Sequence, residues 1–452
     1  MKYKLFFPLV LLLFCYSCKN EQVSDDVAKA YKVNEFIKST MEDVYLWYKE
    51  MPDISPESET NPKNFYKKLL YTEDKWSYIT DNANALTNSL SGIETTFGYQ
   101  LAFYRTTSNA DEYFAVVEYV NDNTPASAAG ISRGDYFVRI NGEKINASNY
   151  MELINGSSIT LTKADLVDRN IVETSETITL TSKKLTINPV LYKSVIEKNG
   201  IKIGYMVYTS YVGDLNHLLE EALAYFKAEN VSEFVLDLRF NSGGDETAST
   251  YLCSSLAPKD VVDNQSILIY NKWNDKYDEY WREHNYTNRI ERRFEEVPYN
   301  LNLSRLYVLT SSSTASASEL TIIGLMPYMN VVKIGETTYG KYTSMILIQP
   351  KDKSIANWAL LPIIAKYTNA DGYTDFKDGL APDYEVTDNL FPAVALGNEK
   401  EPLLSKALEL ITGVSTQAEA AKSKRVPVDF EFVTTLQSRF DEFRSNFYLK
   451  YE

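Results

Sequence analysis

The sequence predicts a multidomain chain of mixed class, with a helical N-terminal unit, a β-rich α+β unit and an α/β core. Three observations lead there. The 452 residues exceed the roughly 100–200 typical of one domain. The apolar spacing changes twice along the chain: three- and four-residue steps before position 90, period-two runs from Ile93, then alternating strand and helix signals from about 186. At 44% hydrophobic and 24% charged, the composition is that of a globular chain that closes its cores without staples.

The first twenty residues, MKYKLFFPLVLLLFCYSCKN, carry two lysines, an apolar stretch from Leu5 to about Tyr16, then Ser17 and Cys18. That is a secretion signal. It is short for a membrane-spanning helix, which takes about 20 apolar residues. The run CYSC resembles a bacterial lipoprotein cleavage box, with Cys15 where leucine is usual. The resemblance implies a signal peptide over 1–17, cleavage before Cys18 and lipidation of its thiol. The chain is then expected in the bacterial cell envelope, extracytoplasmic, on the periplasmic face or the cell surface, held to the membrane by the lipid alone. Cys253, in STYLCSSLA, would be the one thiol left and reads as a buried helix position. Two histidines and no CxxC pattern point away from zinc, and no cofactor is expected. A formal charge of −15 points away from a nucleic-acid partner, which needs a clustered positive field.

Residues 18–90 read as the helical unit. In VNEFIKSTMEDVYLWYKEM, Val33, Phe36, Ile37, Met41, Val44, Tyr45 and Tyr48 recur at helical steps, PDISPESETNP breaks the pattern, and a short helix around Phe65 to Tyr71 follows. Residues 91–185 read as the β-rich unit, with YFAVVEYV, DYFVRING and SSITLTKADL as strands and TPASAAGI as a short helix between the first two. Residues 186–452 read as the core. GIKIGYMVY, EFVLDLRF, SILIYN, RLYVLT, NVVKIGE and TSMILIQ are strands, interleaved with helices at DLNHLLEEALAYFKAEN, at 246–256 and after the serine cluster. The order implies one α/β sheet layered with helices. The end supplies EPLLSKALELI and a terminal helix expected from about Val428, after Pro427.

Three stretches carry chemistry, each with an ordinary alternative. TASASE (314–319) contains Ser316 and Glu319 in capping-box spacing, yet a serine at a strand-to-helix turn also exposes its oxygen beside the N–H of Ala317. DLRFNSGG (237–244) is a glycine turn after a strand. Its Gly243 and Gly244 let backbone come close to a substrate and aim an N–H at an oxyanion. TYGKYTS (338–344) holds Lys341. Such a lysine is either a surface residue or, if buried, a base whose pKa falls toward 7 or 8.

In that order the three stretches resemble the carboxy-terminal processing, or tail-specific, serine proteases. The resemblance implies Ser316 as nucleophile, Lys341 twenty-five positions later as base, and the backbone of Gly243, Gly244 and Ala317 as oxyanion hole. It implies a ClpP/crotonase-like protease core, closed by DGLAPDYEV. It also implies a PDZ-like domain carrying TPASAAGISRGDYFVRINGEKI, whose carboxylate-binding loop falls near Gly98, Tyr99, Gln100 and Leu101. Partners would then be polypeptides with exposed C-termini. Met345 stands where the family often has a lysine-supporting glutamine. Gln349 lies about 13 Å further along a strand, too far to replace it. Either a nearby hydroxyl such as Thr343 or Ser344 steadies Lys341, or activity is reduced. Neither His217 nor His284 sits in a catalytic setting, and a Ser/Lys dyad needs neither.

The leading reading is a Ser/Lys serine endopeptidase acting near recognised C-terminal tails. Its alternative is a catalytically silent peptide-binding adaptor on the same scaffold, motivated by Met345. A third is a hydrolase of a non-peptide ester or a cell-wall peptide.

Overall fold

The Asp25–Val44 helix begins at Ser24, whose hydroxyl caps Val27 N–H, and it buries one stripe: Ala30, Val33, Ile37 and Met41. The computed structural model describes residues 24–106, 109–414, 430–436 and 448–449. The expected signal peptide and Cys18 lie outside them. Asn61 caps and Pro62 opens the Pro62–Leu69 helix, which adds Phe65, Tyr66 and Leu69 to the same apolar cluster. These helices are joined to the core. They share its hydrophobic cluster, Leu46 N–H bonds Ile363 O at 2.9 Å, and the Tyr78–Thr80 strand pairs with Ala359–Leu361.

The β-rich unit is a sheet in which Tyr99–Thr106, Asn109–Val120, Tyr136–Ile140, Ser158–Val167 and Asn170–Thr181 follow one another as antiparallel neighbours. The short Pro125–Ala128 helix is capped by Thr124, as TPASAAGI suggests. Phe430–Leu436 is the edge strand of this sheet, antiparallel to Tyr99–Thr106. The helix expected from about Val428 is thus a strand over these residues. FEFVTTL is aromatic and β-branched, and the open edge of a sheet satisfies its backbone.

In the core, Ile201–Tyr208, Glu233–Asp237, Arg305–Thr310, Asn330–Gly335 and Tyr384–Glu385 run parallel, with Val190–Lys198 antiparallel at one edge. Tyr384–Glu385, from the closing DGLAPDYEV run, pairs with Ile334 and Gly335. The single sheet expected from the alternating pattern is in fact two. Ile267–Trp273 and Thr343–Ile346 join a second sheet, both antiparallel to Ile363–Asn369. The cause is loop length. Seven residues separate Asn330–Gly335 from Thr343–Ile346, whereas a parallel crossover needs a dozen or more.

The Glu246–Leu256 and Ala317–Leu325 helices pack on each other in this cluster, with Ser249 Oγ reaching Ala317 O at 3.3 Å. Ala317–Leu325 is buried at every residue, and Gly324 lets Leu268 come so close that a Cβ there would stand 2.5 Å from its side chain. That burial fixes the start of the helix, where Ser316 sits.

A chain of charges ties the β-rich sheet to the core. Arg133 donates to both oxygens of Asp388 at 2.6 and 2.8 Å, and Asp388 meets Arg239, which Asp237 and Glu401 hold at 2.7 Å each. Tyr136 adds a bond to Leu390 O at 2.8 Å. Truncating one member of such a buried set leaves an uncompensated charge.

Candidate active site

The Ser/Thr-rich loop is first a clasp. Ser311 Oγ donates to Arg239 O at 2.5 Å, Thr314 Oγ1 to Leu238 O at 2.9 Å and Ser318 Oγ to Asn241 O at 3.0 Å. Each hydroxyl donates to a buried carbonyl of the 237–244 turn, and Leu238 O and Asn241 O also accept from the N–H groups of Asn241 and Ala315. Ser316 differs. Its Oγ is buried and has no hydrogen-bond partner, and its backbone sits at φ 59°, ψ −114°, a strained conformation for a residue with a Cβ. The Glu319 half of the capping box forms, with the carboxylate accepting from Ser316 N–H at 2.8 Å, but the hydroxyl does not return the bond.

The glycines lie against this serine. A Cβ on Gly243 would stand 2.7 Å from Ser316 Cβ and 3.0 Å from Ala317 N, and one on Gly244 would strike Tyr211 O at 2.0 Å. Both have positive φ, 111° and 136°. Gly243, Ser316 and Ala317 are thereby brought together. The N–H of Gly243 donates to Asn241 Oδ1 at 2.9 Å, however, so it is engaged rather than aimed outward. A cavity of about 40 Å³ reaches Gly244 between Tyr119 of the β-rich sheet and Thr209 and Tyr211 of the core.

Lys341 is fully buried. Two bridges bind its backbone to that of Ser316. The Glu319 carboxylate accepts from Lys341 N–H at 2.8 Å with the same oxygen that takes Ser316 N–H, while its other oxygen accepts from Thr338 Oγ1 at 2.5 Å and Gly340 N–H at 2.7 Å. The buried Tyr367 hydroxyl is shared between Ser316 O at 3.1 Å and Lys341 O at 2.6 Å. Burial raises the Glu319 carboxyl to about 7, against the bonds to Thr338, Ser316, Gly340 and Lys341, which favour its ionised form. Burial lowers the Lys341 amine to about 7, with the charges of Asp74 and Glu319 opposing it more weakly. An amine with that value is about half neutral near pH 7, and the neutral fraction has a lone pair to take a proton.

The support expected from Thr343 or Ser344 lies elsewhere. Thr343 Oγ1 is buried without a partner, and Ser344 Oγ faces Asn271 Oδ1 at 3.5 Å. Lys341 Nζ meets Met345 Sδ at 3.1 Å. A thioether is a weak, uncharged acceptor that packs without adding charge. Sequence reasoning placed Glu319 only as a cap and missed Tyr367. Glu319 could have been suspected from being the one charge in an otherwise uncharged helix. Tyr367 has no local signal, because its strand meets both loops only in the fold.

Gly98, Tyr99, Gln100 and Leu101 are not part of this cluster. Gly98, at φ 91°, packs on Thr124 and accepts from Asn121 N–H at 2.7 Å, Gln100 Nε2 donates to Glu118 at 3.0 Å, and Leu101 pairs with Leu436. His217 and His284 are exposed, the latter with Nδ1 2.9 Å from Tyr280 O. Cys253 is buried in the Glu246–Leu256 helix, and burial pushes its thiol up to about 12, an unreactive setting. Among the described residues no group of three His, Cys, Asp or Glu side chains could hold a metal ion.

Residues 202–386 match the model of peptidase family S41, and residues 32–78 match the S41 N-terminal domain. A crystal structure from Bacteroides fragilis, assigned to the S41 proteases, superposes with a TM-score of 0.70 at 30% identity, covering 84% of this chain and 97% of that one. The carboxyl-terminal-processing protease of a Picosynechococcus strain is 26% identical over 297 residues, covering 64% of each protein. The chloroplastic carboxyl-terminal-processing peptidase 2 of Arabidopsis thaliana is 27% identical over 328 residues, covering 67% of this chain and 55% of the relative. The chain thus spans less than two thirds of the length of these two curated relatives.

Proposed function

We propose that this chain, which belongs to peptidase family S41, is a serine endopeptidase whose neutral Lys341 amine activates the Ser316 hydroxyl. The observation that carries the reading is a fully buried lysine, clamped through Glu319 and Tyr367 to a serine whose hydroxyl is committed to nothing. A desolvated lysine favours catalysis over the silent-adaptor reading, which expects that amine in bulk solvent.

In the proposed mechanism the Lys341 amine takes the Ser316 proton as Oγ attacks the scissile carbonyl carbon. The developing oxyanion is met by the N–H of Ala317, first in its helix, and by Gly244. Gly243, its own N–H engaged, shapes the floor. The C–N bond then breaks as the Lys341 ammonium protonates the leaving amine. Water, deprotonated by Lys341 in turn, releases the acyl group from Ser316.

The β-rich sheet is proposed as a PDZ-like domain, the paired sheets as a ClpP/crotonase-like core, and residues 18–90, 91–185 and 186–452 as the three domains of a mature lipoprotein anchored through Cys18. Substrates would be polypeptides whose C-terminal tails reach the Tyr99–Thr106 edge, in keeping with the carboxyl-terminal processing carried out by the relatives.

The test incubates unfolded protein substrates with wild type, Ser316→Ala and Lys341→Ala. Cleavage by wild type alone is expected. Equal cleavage by all three rejects the dyad.

A further inference from the structure

The proposed function sends a substrate tail to the Tyr99–Thr106 edge, and the chain's own last described segments lie on that edge and on the Thr343–Ile346 strand that carries Met345. Phe430–Leu436 runs antiparallel along Tyr99–Thr106, from Phe430 opposite Thr106 to Leu436 opposite Leu101, so it covers the edge expected to receive a tail. Tyr448–Leu449 pairs in parallel with Met345 and Ile346. Met345 is the residue whose sulfur meets Lys341 Nζ.

The first contact is anchored by side chains on both faces of the strand. Glu431 takes a two-bond ion pair from Arg105, at 3.0 and 2.7 Å. Phe430 packs edge-on to Phe114 at 4.8 Å and beside Phe391 at 5.1 Å, and Phe432 stands edge-on to Tyr104 at 5.5 Å. A bulge between Phe432 and Thr434 turns Val433 onto the opposite apolar face, against the cluster of Leu101, Phe103 and Tyr150. Backbone pairing supplies affinity for any extended chain, and the alternate side-chain pockets supply preference. These pockets are filled by aromatic and β-branched groups.

We propose that the Phe430–Leu436 and Tyr448–Leu449 segments act in cis as a resident competitor of substrate, which must leave both edges before a polypeptide binds in trans. This rests on the endopeptidase reading for its consequence, though not for the contact itself. The edge selects an extended segment with aromatics on either side of an acid opposite Arg105, followed by β-branched residues, and substrate tails of that chemistry displace it best.

Tethering makes such a competitor effective. A segment joined covalently to its own site acts at an effective concentration of about 1 mM. If the free segment binds with a Kd of about 0.1 mM, the resident segment raises the apparent KM about tenfold, with kcat unchanged.

The experiment uses a labelled synthetic peptide of residues 429–436 and chains carrying Ser316→Ala, so that binding is read without turnover. The hosts are the full chain, a chain ending at Val414, and the full chain with Glu431→Arg and Phe432→Asp. The peptide is expected to bind the last two at least fivefold more tightly than the first. With Ser316 intact, the last two chains are expected to show a KM for unfolded casein about tenfold below that of the full chain, with kcat unchanged. Equal peptide affinity in all three, or no binding to any, overturns the proposal. Should the shortened chain fail to fold, the doubly substituted full chain decides. If the peptide affinities shift as expected but no chain cleaves casein, the cis contact stands and the endopeptidase reading falls.

Discussion

Replacing Lys341 with methionine tests the central claim without relying on turnover. In the fold the amine titrates at about 7, because burial removes the water that would stabilise its charge. In the unfolded chain it titrates near 10.4. The folded value is the lower one, so between about pH 7 and pH 10 the unfolded chain binds a proton that the folded chain does not. Stability therefore rises with pH across that window and is smallest at and below pH 7. The slope approaches 1.36 kcal/mol per pH unit, so the lysine's contribution changes by about 2 kcal/mol between pH 7 and pH 9. Lys341→Met keeps the length and apolar stem of the side chain but removes the proton. Titrations remote from Lys341 are common to the two chains and cancel in the difference. Urea unfolding of both chains at pH 7 and pH 9 reads it. Wild type should gain about 2 kcal/mol on the variant over that interval and should be the less stable of the two at pH 7. A difference that does not change with pH means the lysine is charged in the fold, and the general-base argument fails. The same value predicts that kcat/KM of wild type falls tenfold per pH unit below about pH 7 and levels off above it.

Ser316→Gly should abolish cleavage yet stabilise the fold by about 1 kcal/mol, since glycine tolerates φ 59° and the strain removed exceeds the added chain entropy; a thermal melt beside an activity assay checks both. Glu319→Gln should cost about 2–4 kcal/mol, because one end of the amide turns a donor toward two buried donors, and the loss should appear in denaturation even where Ser316 is already alanine. Met345→Gln puts a carbonyl oxygen in reach of Lys341 Nζ, which favours the ammonium; the rising limb of the pH–rate profile should move up by about half to one unit, while Met345→Leu should leave it in place.

The catalytic candidates were legible because each is advertised locally. A serine three residues before a glutamate at a strand-to-helix turn, two glycines after an apolar strand, and a glycine–lysine pair can each be read from adjacent letters. The order of the three narrows them to one chemistry. The α-helical stripes of Asp25–Val44 and Pro62–Leu69 were legible for the same reason, since periodic burial leaves a periodic pattern. Met345 was readable only as a departure. That its sulfur would face the amine depends on the four-residue offset being realised in space by the turn that precedes its strand.

What failed to show in the sequence is what depends on segments far apart in the chain. The second sheet was invisible because strand letters do not name a partner; a seven-residue connector, too short for a crossover, decided it. The strand at 430–436 carries β-prone letters, but it becomes a strand because Tyr99–Thr106 offers it an unpaired edge more than three hundred residues away. Glu319 and Tyr367 acquire their roles only when three loops converge on them. By itself the sequence determined which groups could react and where helices and strands would start. Tertiary structure alone decided that the lysine is dry and the serine unpaired, because desolvation and hydrogen bonding are properties of surroundings rather than of a residue.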